Sequence, residues 1–136
     1  MHLTGRTVLK FYFRKMLDHE QGVLDTWDVD HVHDMRVASR RSRTGFRILR
    51  ETFGTKELAP FLKQFKRVGL GLGSVRDLDV FLEFLDEYGA DHDRSSDPGV
   101  VAFRAHLESD RAVRRTELES CLTRSSYRQF KLQYSN

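Results

Sequence analysis

One stretch of the chain, residues 33–50, constrains the fold more than any other feature, because its arginines recur at helical spacing. Steps of three and four residues from His33 lead through a set that we call the basic row: Arg36, Arg40, Arg43, Arg47 and Arg50. Residues three and four apart are surface neighbours on an α-helix. The spacing therefore predicts a helix with a cationic stripe about 25 Å long, at roughly 1.5 Å per residue.

A second set of residues in this stretch has the same spacing and is mostly apolar. It comprises Met35, Ala38, Ser42, Phe46, Leu49 and Phe53. At about 100° per residue, this set lies roughly 120° round the helix from the arginines. We therefore predict a helix over residues 32–53, stopped by Gly54, that buries one stripe in a core and carries the basic row beside it.

The basic row has two interpretations. It is either a solvated face paired with acids of other helices or a surface that binds anions. Like charges four residues apart destabilise a helix by about 0.2–0.5 kcal/mol per pair, and Asp34 is the single acid within the stretch. The regularity of the row, and its position flanking the core stripe, favour anion binding. Arg41 points away from the row.

Composition limits the classes of protein that remain. A chain of 136 residues suits one domain with a single modest core, residues 1–136. No apolar run approaches the roughly 18 residues that a membrane span needs, and no signal-peptide pattern opens the chain, so a cytoplasmic location is expected. The single cysteine, Cys121, excludes an internal disulfide and a cysteine-based metal site within one chain.

The net charge of +3 hides an uneven distribution. Residues 33–50 hold six arginines against one acid, and residues 77–97 hold eight acids against one base, Arg94. A concentrated basic region makes a polyanionic partner more plausible than the net charge suggests.

The fold class predicted for the whole chain is all-α, an antiparallel bundle of about four to six helices. There are only two prolines and no strand-like alternation, and apolar spacing places the other helices near residues 4–21, 56–72, 74–88, 97–123 and 125–133. The glycines at 69–73 are expected to end one helix. Ser74 and Asp77 would then form a capping box for the next helix, and Asp97 would be the N-cap before Pro98.

Two short motifs resemble the signatures of CHAD domains, the conserved-histidine α-helical domains. Residues 33–43, HDMRVASRRSR, resemble the pattern V-H-x-x-R-V-x-x-R-R-x-R, and residues 72–80, LGSVRDLDV, resemble L-G-x-x-R-D-x-D-V. The resemblance covers essentially the whole chain. It implies an all-helical protein that binds inorganic polyphosphate through a basic channel or surface. It also implies that the protein can be associated with polyphosphate granules.

A complete CHAD domain resembles two related helical bundles in tandem, and this chain resembles the N-terminal bundle alone. Apolar surface near the termini would then be uncovered, so we expect self-association that completes the two-bundle arrangement. No membrane partner is expected.

The candidate binding residues follow from the chemistry of arginine, whose guanidinium fork makes two parallel hydrogen bonds to phosphate oxygens and stays charged. We predict the basic row as the main contact, with Arg50 weaker because it nears the helix end. Neighbouring helices would add Lys10, Arg14, Lys63 and Arg67.

Four further residues are candidates for the site. His33, in the first turn of its helix, is either a phosphate donor or is bonded to a neighbouring loop or acid. Arg76, Asp77 and Asp79 are expected to support the site structurally and not to catalyse a reaction.

Several functions are not expected. No nucleophile–base pair appears, and the glycines at 69–73 lack the preceding strand of a dinucleotide fingerprint, so we predict neither an enzyme nor a cofactor. His31 and His33 alone make a weak metal site. The remaining alternatives are a nucleic-acid backbone, disfavoured because the aromatics fall on core positions, and a structural bundle docking an acidic protein, such as residues 77–97 of a second copy.

Overall fold

The architecture is seen in a computed structural model, which describes residues 3–53 and 59–135, with side chains described for residues 7, 10–51, 59 and 62–132. The described residues form five helices: α1 (Leu3–Thr26), α2 (Val29–Phe53), α3 (Ala59–Asp91), α4 (Pro98–Thr123) and α5 (Ser125–Ser135). These ranges contain no strand, which confirms the predicted all-α class. None of the described helices combines the length and the apolar character needed to cross a membrane.

The first turn of the chain is tighter than the sequence indicates. We predicted a loop over residues 22–30, but only Trp27 and Asp28 separate α1 from α2. Trp27 has a left-handed φ of 52°, which reverses the chain in one residue. The Asp28 carboxylate accepts a hydrogen bond from the Asp30 amide at 2.8 Å and so satisfies one of the amides at the start of α2.

The prediction of two helices over residues 56–72 and 74–88 is wrong, because α3 runs unbroken through the glycines for 33 residues. A glycine inside a helix costs about 1 kcal/mol relative to alanine, but here the missing side chains permit close packing. A Cβ on Gly71 would lie 2.9 Å from the Leu118 side chain of α4. Ser74 is consequently mid-helix, and its predicted capping box with Asp77 does not form.

The remaining helix ends are partly as predicted. Asp97 is confirmed as the N-cap of α4, since its carboxylate accepts hydrogen bonds from the amides of Gly99 and Val100. The predicted stop at Gly54 and the predicted helix start at residue 56 lie outside the described residues.

Consecutive helices are neighbours in an antiparallel bundle, with α2 between α1 and α3, and α4 along the other side of α3. The main core is built from all five helices and includes Met16, Met35, Phe46, Phe65 and Tyr127. A second, smaller cluster of Leu82, Leu85 and Leu107 joins only α3 and α4. We call this outer part of the hairpin, residues 80–107, the arm.

Candidate functional site

The basic row lies on the side of α2 that faces α3. Arg40, Arg43 and Arg47 are exposed, while Arg36 and Arg50 are half-buried. The apolar set on the same helix is turned inward, with Met35, Ser42 and Phe46 fully buried and Ala38 nearly so. Burial of one stripe therefore fixes the rotation of α2 about its axis, and this rotation places the arginines beside α3.

A groove of about 710 Å³, which we call the α2–α3 groove, runs along the first half of the basic row. Residues from three helices line it: Arg36, Ser39, Arg40 and Arg43 of α2; Gly69, Leu70, Gly73, Ser74, Asp77 and Leu78 of α3; and Asp110 and Arg114 of α4.

Two glycines keep the α2–α3 groove open. Gly69 and Gly73 stand one turn apart on the α3 wall, where larger side chains would fill the space. A Cβ on Gly73 would lie 3.7 Å from Arg36 Nε, and one on Gly69 would lie 3.6 Å from Ser39 Oγ. The continuous α3 helix thus places its glycines where the arginines need room.

A second cavity, of about 270 Å³, continues along the other half of the basic row. Arg43 lines both cavities, so the guanidinium groups form one line from Arg36 to Arg50. The second cavity is lined by Arg43, Thr44, Arg47, Arg50, Leu62 and Lys66. Lys66 is a cation that the sequence analysis missed.

The basic row is not neutralised by the described part of the protein. No carboxylate among the described residues lies within 4.0 Å of any of its five guanidinium groups. The ion pairs that the structure does contain use other cations: Arg94, Arg104, Arg111, Arg114, Arg115 and Lys131. Of the two interpretations of the row, a face already paired with acids therefore finds no support in these residues.

The predicted lysine and arginine of α1 lie elsewhere. Tyr12 faces α2, where it lines a third, mainly apolar cavity of about 480 Å³ with Val37, Arg40, Arg41 and Ile48. At about 100° per residue, Lys10 and Arg14 each lie roughly 160° round α1 from Tyr12. Neither lines any of these three cavities among the described residues.

The predicted contributions of α3 are also absent from the two cavities. Lys63 lines neither of them. Arg67 stands one turn before Gly71, which packs against Leu118 of α4, so Arg67 lies on the side of α3 that faces α4. The cation of α3 that reaches the basic row is Lys66.

His33 is exposed and stands one turn into α2, because the helix begins at Val29 and not at Val32 as predicted. His33 therefore lies beyond the first-turn amides of α2, which are the part of a helix that attracts anions. No hydrogen-bond partner of its ring is found among the described residues, and it does not line the α2–α3 groove.

Asp79 lies at the junction of three parts of the fold. It is buried, accepts a hydrogen bond from Arg111 Nη1 at 3.2 Å, and lies 3.7 Å from Arg115 Nη2. Arg115 also donates to the Trp27 carbonyl at 3.4 Å and sits over its ring, 5.5 Å from the centroid. Burial raises the pKa of Asp79, against the opposing charges of Arg111, Arg115 and the neighbouring Arg76.

Asp77 and two residues of α4 occupy positions that the sequence analysis did not foresee. Asp77 is exposed and lines the α2–α3 groove opposite the arginines. Asp110 lines the same groove, 3.6 Å from Arg114, and Arg114 donates to Ser74 Oγ at 2.7 Å. No periodicity within one helix could reveal this wall, because it is assembled from α3 and α4.

No metal site is evident in the described ranges, where no three His, Cys, Asp or Glu side chains are grouped to hold an ion. His31 and His33 point to different surroundings. The ring of His31 lies against Gly22 and His19, with the two Nδ1 atoms 3.4 Å apart, whereas His33 is exposed.

Comparison with known proteins gives one match. The family model for the CHAD domain matches residues 7–136, nearly the whole chain. No curated protein and no solved structure matches.

Proposed function

The chain belongs to the CHAD domain family, and from this membership we propose that it binds inorganic polyphosphate along the basic row, as a non-catalytic targeting or scaffolding module. CHAD domains in general are known for binding polyphosphate and triphosphate. The observation that carries the proposal is a line of five guanidinium groups, unpaired within the described residues, that borders two adjoining cavities.

The geometry suits a linear polyanion for two physical reasons. The arginines project from one helix whose neighbouring stripe is buried, so little backbone has to be ordered on binding. Each guanidinium can make paired, charge-assisted hydrogen bonds to phosphate oxygens. Binding would release counterions, and the affinity should therefore fall steeply as salt is added.

A nucleic-acid backbone would be attracted by the same charges and is the main alternative. Base recognition in single strands uses aromatic side chains as stacking platforms. The two cavities that together border the row from Arg36 to Arg50 have no aromatic residue in their described lining, and the third cavity, which Arg40 also borders, has one, Tyr12. One half-buried tyrosine beside the row is not a series of stacking platforms, which favours a ligand made of phosphate alone. Docking of an acidic protein, and a cytoplasmic or granule-associated location, stay predictions.

The test is direct titration with long-chain polyphosphate. Arg40→Ala/Arg43→Ala/Arg47→Ala should weaken binding about 100-fold or more, at about 1–1.5 kcal/mol for each lost charge-assisted contact. The matched control removes three exposed arginines that line neither cavity and are not predicted contacts, Arg94→Ala/Arg124→Ala/Arg128→Ala, and should change affinity by less than about fivefold, since these charges act only through a screened field.

Two results would contradict the proposal. One is equal loss of affinity in both triple variants, which would mean that binding follows net charge and not the basic row. The other is displacement of polyphosphate by single-stranded or duplex nucleic acid at equal phosphate concentration.

A further inference from the structure

The two walls of the α2–α3 groove carry opposite charge. Arg36, Arg40 and Arg43 line the α2 wall, and the facing wall carries two carboxylates, Asp77 and Asp110, with one guanidinium, Arg114. A groove that served only to attract polyanions would have no use for acids inside it, because each acid repels the ligand.

The two acids differ in how they are held. Asp110 lies 3.6 Å from Arg114, which is itself fixed by its hydrogen bond to Ser74 at 2.7 Å. Asp77 has no ion-pair partner among the described residues and is exposed to the groove. The facing wall therefore presents at least one uncompensated negative charge across the cavity from the arginines.

We infer that Asp77 and Asp110 make the groove selective for a thin, densely charged phosphate chain over a nucleic-acid backbone; the inference rests on the proposed function. A chain of directly linked phosphates is narrow enough to lie on the α2 wall and stay clear of the carboxylates. A nucleic-acid strand carries a sugar and a base on every phosphate, so it is wider than a chain of phosphates alone and approaches the facing wall, which Asp77 and Asp110 line. Its phosphates there meet like charge, which disfavours the wrong ligand.

The continuity of α3 is what makes this arrangement possible. Had the helix ended at the glycines, Asp77 would cap a new helix and its carboxylate would be engaged by backbone amides. Within an unbroken helix, Gly73 and Asp77 lie one turn apart and both line the groove. One wall thus offers open space and negative charge together.

The experiment measures the affinities of Asp77→Asn, Asp110→Asn and the double variant for two ligands at one salt concentration. The ligands are long-chain polyphosphate and an oligothymidylate, compared at equal phosphate concentration. We expect Asp77→Asn to tighten oligothymidylate binding about fivefold, the effect of removing one like charge near contact distance in water. Asp110→Asn should tighten it less, because the charge of Asp110 is already partly offset by Arg114. Polyphosphate binding should tighten by less than about twofold, since the chain lies farther from the acids.

The control is Glu83→Gln, which removes one exposed acid of α3 at a position that does not line the groove. This residue stands about 120° round the helix from Asp77. It should shift both affinities equally and slightly, and so reports the long-range effect of net charge.

The outcomes separate this inference from the proposed function. If the wild type binds polyphosphate but the double variant gains equally for both ligands, the inference fails and the function stands. If no variant binds oligothymidylate detectably, the inference also fails, because the carboxylates are then not what excludes nucleic acid. If the wild type does not bind polyphosphate at low salt, the proposed function itself fails.

Discussion

Asp79 ties α3 to α4 and, through Arg115, to the turn between α1 and α2. Two opposing effects set the pKa of a carboxylate in such a place: desolvation raises it, and attraction to nearby arginines lowers it. Here burial is the larger effect, and the pKa of Asp79 is raised above its ordinary value of 3.8. The sequence predicts a supporting role for Asp79. The partners of its carboxylate lie 32 and 36 positions further along the chain, so no local pattern could identify them.

The first prediction concerns the pH dependence that this raised pKa produces. Between pH 3.8 and the raised pKa, the folded state holds a proton on Asp79 that the unfolded state releases. The free energy of unfolding contributed by Asp79 therefore falls as pH rises through that window.

The side chain introduced by Asp79→Asn does not titrate, so only the wild type loses stability through this pH window. The free energy by which the wild type is more stable than the variant should therefore shrink as pH rises, and the variant can become the more stable of the two. Urea denaturation at a series of pH values measures this difference. A difference that grows with pH would show that attraction to Arg111 and Arg115 outweighs burial, and would contradict the prediction.

At the scale of whole elements, α2 could be predicted from the sequence and α3 could not. The amphipathic pattern of α2 determines which face is buried, and burial then places the basic row beside α3. The glycines of α3, by contrast, could not be interpreted from the sequence alone. In isolation they indicate a helix end, but Gly71 lies where Leu118 of α4 approaches to within 2.9 Å of a Cβ position, and Gly69 and Gly73 border the α2–α3 groove. The wall containing Asp110 and Arg114 was also missed, because it is assembled from two helices.

Substitution of two helical glycines by alanine should have opposite effects on stability, because the space beside the two glycines differs. A Cβ on Gly22 of α1 would lie 2.8 Å from three atoms of the His31 ring, so a small rotation of the ring cannot relieve the clash. A Cβ on Gly73 would make only ordinary contact, 3.7 Å from Arg36 Nε. Gly22→Ala should destabilise the protein by about 1–3 kcal/mol, and Gly73→Ala should stabilise it by about 0.5–1 kcal/mol.

Chemical denaturation measures both effects, and a double variant tests the cause. In Gly22→Ala/His31→Ala the ring is gone, so the alanine at 22 should no longer destabilise relative to His31→Ala alone. Additive losses in the double variant would mean that Gly22 is required for another reason.

At the scale of the whole molecule, charge and apolar surface are distributed unevenly. The basic row lies along the bundle, whereas the arm is acidic and poorly covered. Phe81, Phe84 and Phe103 are 44%, 59% and 44% exposed, and the Phe81 ring lies 6.0 Å from that of Phe84 and 5.8 Å from that of Phe103. From the sequence, uncovered apolar surface is predicted near the termini. The exposed aromatic residues of the arm are not predictable in this way, because their exposure depends on α3 and α4 extending together beyond the other helices.

This exposed aromatic cluster leads to the last prediction, which concerns association. Contiguous apolar patches on a protein surface are typical of interaction sites, so we expect concentration-dependent self-association that Phe84→Ser weakens. The matched control is Val113→Ser on α4, which removes an exposed apolar side chain, 53% exposed, outside the cluster and away from the termini. Light scattering after size-exclusion chromatography measures the mass of each. A wild type that stays monomeric at every concentration would contradict the prediction, and equal weakening by both variants would place the contact outside the arm.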